Sequence, residues 1–153
     1  MPKGPAADDV RAALAAAGAD AGQALLPDAS VEQLLNALVA DVVRARRGGT
    51  APARPALKLV VRELARRLAE GAPGRSVEVR IPPYAAVQCL AGPRHTRGTP
   101  PNVVEADPVA FVDLCAGLVP WSEAVSDGRV RASGERSNLS ALLPLDFARP
   151  DPT

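Results

Sequence analysis

The stretch formed by residues 103–145 constrains the fold of this chain most, because each of its boundaries carries a residue with a strong backbone preference. Asp107 is a natural N-cap for a helix, and Pro108 loses no hydrogen bond in a first helical turn. Asp127 and Gly128 suit a tight turn, and the residues after them alternate between apolar and polar, as in a half-buried strand. The stretch therefore predicts a strand, a helix, a break, a second short helix, a turn and another strand.

A last short helix is predicted after that strand. Ser137 is a suitable N-cap for it, and Pro144 helps to end it. The apolar side chains of this helix would be Leu139, Leu142 and Leu143.

Three more helices are predicted upstream. Asp8 or Asp9 is expected to cap the first helix, and Ser30 forms a capping box with Gln33 at the start of the second. The third is the clearest helix of the chain, because its apolar residues recur at i, i+3, i+4, i+7 and i+11. These residues are Leu57, Val60, Val61, Leu64 and Leu68.

Four strands are predicted, in residues 76–81, 84–90, 102–106 and 129–133. The second of them is apolar apart from Gln88, which is typical of a central strand covered on both faces. Six residues are predicted to lie in the core: Val77, Val79, Val87, Val104, Val130 and Leu142.

This order of elements predicts an α+β fold, with helices covering a largely antiparallel sheet of four to five strands. Residues 1–49 read as a helical N-terminal extension, and residues 50–56, rich in Pro and Ala, read as a linker. The main domain is predicted at residues 57–147. Residues 148–153, rich in Pro and Asp, are expected to form a disordered tail.

Charge and composition exclude several classes of protein. The formal net charge of +1 gives no electrostatic case for nucleic-acid binding, which usually needs a clustered basic face. The two cysteines, Cys89 and Cys115, both lie in apolar patterns, which argues against a disulfide-rich secreted scaffold. No apolar run suits a signal peptide or approaches the ~20 residues of a membrane span. These features predict a soluble cytoplasmic protein.

Two segments carry a resemblance to a known family: GRSVEVRIPPYAAVQCLAGPRHTRGTPPNVVEADP, which begins at Gly74, and DGRVRASG, which begins at Asp127. Together with the helices around them, they resemble the small bacterial sterol carrier proteins over roughly residues 57–147. The resemblance implies a sterol-carrier-like fold that binds a lipid or an acyl chain and has no catalytic constellation of its own. A fifth strand is usual in that family, and the residues do not locate one here.

The loop at residues 91–101 is unusually long for a connection between strands and is rich in hydrogen-bond donors. Arg94, His95 and Arg97 are therefore candidates to bind an anionic head group. The alternative is a solvated loop whose arginines pair with nearby carboxylates.

Trp121 follows Pro120 between two helical pieces and could either line the mouth of a lipid cavity or close the end of the domain. With it, the candidate apolar ligand-binding residues are Phe111, Leu114, Leu118 and Val125.

The leading hypothesis is non-enzymatic carriage of a lipid or fatty-acyl molecule in an apolar cavity between sheet and helices. Contact with a membrane surface would then be transient. The alternative is an interaction or scaffold domain without an open cavity. An enzyme that uses His95 or a cysteine ranks last, because no complete constellation is visible, and no metal site or cofactor is predicted. The sequence does not determine the oligomeric state.

Overall fold

The computed structural model describes residues 3–18, 27–92 and 102–148, so the predicted loop of residues 91–101 and the predicted tail lie largely outside the described residues. The chain forms two compact units whose boundary lies within its third helix. The first unit ends at Glu63, and the second begins at Leu64. The helices are α1 (Ala7–Ala16), α2 (Val31–Arg47), α3 (Arg54–Gly71), α4 (Pro108–Cys115) and α5 (Trp121–Ser126). The strands are β1 (Val77–Ile81), β2 (Ala85–Cys89), β3 (Val103–Ala106) and β4 (Val130–Ser133).

The first unit contains α1, α2 and the first part of α3, and α1 contacts α2. The predicted capping box of α2 is confirmed, since Ser30 Oγ accepts a hydrogen bond from the Gln33 amide at 3.1 Å and Gln33 Oε1 accepts one from the Ser30 amide at 2.8 Å. The predicted cap of α1 is wrong. Its N-cap is Ala6, without a side-chain hydrogen bond, and the two aspartates lie in the first helical turn. There they still interact favourably with the helix dipole.

The apolar stripe predicted for α3 is buried throughout, with no member more than 8% exposed. The helix itself begins at Arg54, three residues before the first apolar position of the stripe. The predicted division of the chain at a linker of residues 50–56 stays a prediction.

The second unit contains a four-stranded open sheet with the order β2-β1-β3-β4. β1 pairs antiparallel with β2, and β3 pairs antiparallel with β4. These two antiparallel pairs are joined through β1 and β3, which run parallel to each other, with Val79 opposite Val104. The α+β class predicted from the sequence is confirmed, and the sheet is mixed, with two antiparallel pairings and one parallel pairing.

β2 lies at the edge of the sheet, so the prediction of a central strand is wrong. Both sides of β1 are occupied by β2 and β3, which leaves β2 with one partner among the described residues. Ala86 and Gln88 are exposed, whereas Val87 is half-buried. The lack of charge in this strand predicts burial on both faces, but small and neutral polar side chains also tolerate exposure.

Four of the six predicted core residues are buried, with Val77, Val79, Val104 and Val130 at most 2% exposed. Val87 and Leu142 are only half-buried, so these two predictions are wrong. Val87 is half-buried because its strand is at the edge.

The predicted last helix is also wrong, because only a 3₁₀ turn forms at Ser140–Leu142. Ser137 Oγ donates to the Gly134 carbonyl at 2.7 Å instead of capping a helix. Leu143 is extended (φ −117°, ψ 145°), as expected of a residue before a proline, so the helix cannot continue.

A network of hydrogen bonds joins the strands at the end of the sheet where β1 begins. The Ser76 amide and hydroxyl both donate to the Leu90 carbonyl just after β2, at 3.1 and 2.9 Å. The Asn102 side-chain amide, just before β3, donates to the Ser76 carbonyl at 2.9 Å. Asn102 Oδ1 accepts a hydrogen bond from the Arg136 amide at 3.0 Å, so the loop after β4 belongs to the same network.

Val79 and Val87 face each other across the β1–β2 pair, and they allow a matched test of the edge position. Val79 is 1% exposed, so Val79→Asp should prevent soluble folding, since an unpaired buried carboxylate costs several kcal/mol. We expect Val87→Asp to fold and to lose only about 1–3 kcal/mol of the free energy of unfolding, because its carboxylate can reach water. Urea unfolding followed by circular dichroism measures both. Equal losses in the two variants would contradict the edge position of β2.

Candidate functional site

Helix α4 forms where the sequence predicts it. Asp107 Oδ2 accepts a hydrogen bond from the Ala110 amide at 3.0 Å, and Pro108 occupies the first turn. The helix ends in a Schellman-type turn, in which the Leu118 amide donates to the Asp113 carbonyl at 2.8 Å across Gly117 (φ +73°). The Leu145 amide donates to the Cys115 carbonyl at 3.0 Å, so the C-terminal segment satisfies one of the last carbonyls of α4.

Two of the predicted ligand-binding residues, Phe111 and Leu114, lie in the core. Each is only 3% exposed, as expected for a helix whose residues from Ala110 to Cys115 are all buried. They therefore do not form an open apolar surface in this structure.

The other predicted apolar residues lie at the surface, in the turn after α4 and on α5. Leu118 and Val125 are 36% and 38% exposed, and Trp121 is half-buried. Trp121 and Val125 are four residues apart, so they lie on the same side of α5. We call Leu118, Trp121 and Val125 the α5 apolar patch.

Ionic contacts connect α5 with the start of β4. The Arg129 guanidinium donates to both oxygens of Asp127, at 2.9 and 2.8 Å from its Nε, and lies 3.9 Å from Glu123. The hydrogen bond from Arg129 lowers the pKa of Asp127. Because the side chains of Arg129 and Asp127 are both exposed to solvent, this contact contributes little to stability.

A cleft with a volume of about 300 Å³ lies where β3 ends and β4 begins. Its two guanidinium groups already have carboxylate partners: Arg129 binds Asp127, and Arg131 binds Glu105 across the β3–β4 pair. The charges of these guanidinium groups are therefore paired, and none of the predicted ligand-binding residues that the structure describes lines the cleft. It is lined by Pro82, Glu105, Ala106, Asp107, Pro108, Gly128, Arg129 and Arg131.

The sequence patterns do not predict this cleft. The alternation of Arg129 and Arg131 along β4 was visible, but the contact of Arg131 with Glu105 depends on the register between strands 26 residues apart. Local patterns carry no information about such a register.

The predicted head-group residues Arg94, His95 and Arg97 lie outside the described residues. The ends of the segment that carries them are described. Arg136 Nη1 donates to the Ala91 carbonyl at 3.1 Å, and the Arg136 amide donates to Asn102, so a single residue holds both ends.

Both cysteines are completely buried and free. Burial raises the pKa of the Cys89 thiol to about 11 and raises the pKa of Cys115 further. Since the thiolate is the nucleophile, neither residue is activated for catalysis at neutral pH. Within residues 3–18, 27–92 and 102–148, no three side chains of His, Cys, Asp or Glu come close enough to hold a metal ion. No helix in these ranges is long and apolar enough to cross a membrane.

Residues 53–145 match the family described as "Bacterial SCP ortholog". This match covers more than half of the chain, and the chain therefore belongs to that family. The resemblance to bacterial sterol carrier proteins predicted from the sequence is confirmed, and the family suggests binding or carriage of lipid in general. No curated protein is significantly similar to the chain.

Thiol reactivity tests the assignment of both cysteines to the core. Below pH about 9 the folded protein should react with iodoacetamide far more slowly than the urea-unfolded chain, because the Cys89 thiol ionises only near pH 11. Mass spectrometry after timed quenching counts the alkylated sites. Rapid alkylation of one cysteine in the folded protein at pH 7 would mean that its thiol is accessible and ionised, which would favour a catalytic role.

Proposed function

We propose that this protein binds and carries a lipid or an acyl chain, without catalysing a reaction, and that the hydrocarbon chain binds at the α5 apolar patch. The observation that supports this proposal is the exposure of Leu118 and Val125 beside the half-buried Trp121, directly after the turn that ends α4. Exposed aliphatic side chains next to a tryptophan suit a ligand that is apolar along its length and polar at one end. Membership of a carrier family favours the same class of ligand.

The energetics of such a ligand are dominated by its chain. Each buried methylene contributes about 0.8 kcal/mol, so a medium-length chain binds without any specific polar contact. Phe111 and Leu114 lie in the helix before the patch and are proposed as the inner wall of the site. Since they are almost fully buried, contact with them requires a neighbouring element to move, and within this proposal that element is α5, which contacts α4. α5 has only six residues, and short elements with few buried contacts open most readily.

The head group is assigned, within this proposal, to the segment that carries Arg94, His95 and Arg97. Arginine side chains suit a carboxylate or a phosphate. A carrier of this kind would work in the cytoplasm and contact membranes only transiently, when it takes up or releases its ligand.

An interaction domain without an open cavity is the second candidate. It is favoured by the burial of Phe111 and Leu114 and by the paired charges of the described cleft, which leave no free cation there for a head group. The experiments below separate the two candidates.

Chain-length dependence is the direct test of carriage. Fatty alcohols of increasing length should bind with an affinity that grows by about 0.8 kcal/mol per methylene until the site is full, and that is insensitive to salt. The fluorescence of Trp121, the single tryptophan, reports binding.

We expect Val125→Asp to weaken binding about tenfold at every chain length, because it places a charge in the patch. Phe147→Asp is the matched control, since Phe147 is 43% exposed and lies outside the patch. Absence of any binding by fluorescence and by native mass spectrometry would favour the interaction domain.

Fatty acids of the same lengths test the head-group residues. A variant with both Arg94→Ala and Arg97→Ala should bind alcohols normally and lose most of the preference for acids, about 0.2–1 kcal/mol per charge pair. That preference should also decrease with salt in the natural protein. If the double variant binds acids and alcohols with unchanged affinities, the head group lies elsewhere.

A further inference from the structure

β2 is an edge strand in the sheet that the described residues form, and it has the composition of an interior strand. Its sequence, AAVQC, contains no charged residue and no proline. All five of its residues pair in continuous register with β1, from Ala85 opposite Ile81 to Cys89 opposite Val77, so it contains no bulge. Charges, prolines and bulges are the usual devices that prevent an edge strand from pairing with another chain, and β2 has none of them.

The opposite edge of the sheet is different. β4 has only four residues, and one of them is Arg131, whose side chain is 76% exposed and bound to Glu105. A charge on a short edge strand opposes pairing with another chain. The two edges of one sheet therefore differ in the feature that decides whether an edge can pair.

We propose that β2 pairs antiparallel with β2 of a second copy of this chain, which joins two four-stranded sheets about a two-fold axis at Val87. In that register Ala85 lies opposite the partner's Cys89, and Ala86 lies opposite the partner's Gln88. The strand would then be interior in the assembly, as its composition predicts, and its outward backbone groups would be hydrogen-bonded.

A second copy fits this edge better than an unrelated peptide does. β2 presents no charge that could select an ionic motif, and self-pairing brings no like charges opposite each other. The nearest charged side chains on the exposed face, Glu78 and Arg80, belong to β1 and bind each other at 2.8 Å. Two-fold dimers are also the commonest assemblies, because a single self-complementary surface suffices.

The mass of the full chain in solution is the first test. A five-residue strand pair buries little area, so the dimer should be weak, and sedimentation equilibrium from ~10 µM to ~1 mM should show the mass rising from 15.8 kDa towards twice that value. A chain that stays at 15.8 kDa throughout this range overturns the proposal.

Charge pairs test the register. The double variants A86K/Q88K and A86E/Q88E each place like charges opposite each other twice in the dimer, and each should weaken self-association about tenfold. Mixed together, they place Lys opposite Glu at both positions, so the mixture should associate more tightly than either variant alone. Two monomers that stay separate on mixing, each folded by circular dichroism, contradict a register centred on Val87.

Two further variants control for folding and for the choice of edge. In the variant A86E/Q88K, the new Glu at 86 lies opposite Arg80 and the new Lys at 88 lies opposite Glu78 within the same chain. In the dimer, each new charge lies opposite the opposite charge of the partner. This variant should therefore associate more tightly than the natural protein. Ser133→Lys places the same charge on the exposed face of β4, the face that also carries Arg131, and should leave the dimer unchanged. Disruption by Ser133→Lys as strong as that by A86K/Q88K would place the interface elsewhere and overturn the proposal.

Discussion

The buried carboxamide of Asn102 is the contact on which the arrangement of the sheet depends. Its Nδ2 donates to the Ser76 carbonyl before β1, and its Oδ1 accepts from the Arg136 amide after β4. Because β1 and β3 are parallel, no tight turn can join them, and the chain must run out through β2 and return. Asn102 fixes the end of that return, where β3 begins. An apolar residue at this position would leave a buried carbonyl and a partly buried amide without partners, at a cost of about 1–3 kcal/mol each.

The same end of the sheet depends on a close approach of two backbones. A Cβ atom on Gly74 would lie 1.9 Å from the Leu90 carbonyl oxygen, so only glycine fits there. Leu90 has a positive φ of 62°, which is unfavourable for a branched residue, and both its amide and its carbonyl are hydrogen-bonded, to Ala72 and Ser76. These contacts hold the C-terminal end of β2. Among the described residues the edge of the sheet is therefore fixed in position, so the proposed pairing with another strand would carry little further entropic cost.

What the sequence predicted correctly is local. The capping box of Ser30, the Asp107 and Pro108 start of α4 and the burial of the α3 stripe all depend on residues within one or two helical turns. What it did not predict depends on pairing between distant segments, as for the edge position of β2 and the contact of Glu105 with Arg131. The predicted last helix is only a 3₁₀ turn, and Pro144 accounts for its end alone, because a proline restricts the residue before it to extended backbone.

The candidate site shows the limit of helical spacing as a guide to function. The spacing of Phe111 and Leu114 predicts an apolar face, but α4 is buried on every side, so its apolar residues contribute to the core. In the next ten residues the same kind of pattern leaves Leu118 and Val125 at the surface, because α5 is short and has its main contacts with α4 and β4. A hydrocarbon ligand therefore has two ways to bind. It can cover the α5 apolar patch as it stands, which limits the buried chain to a few methylenes, or it can displace α5 and reach Phe111 and Leu114. Since each further methylene adds about 0.8 kcal/mol, the length at which affinity stops growing distinguishes the two.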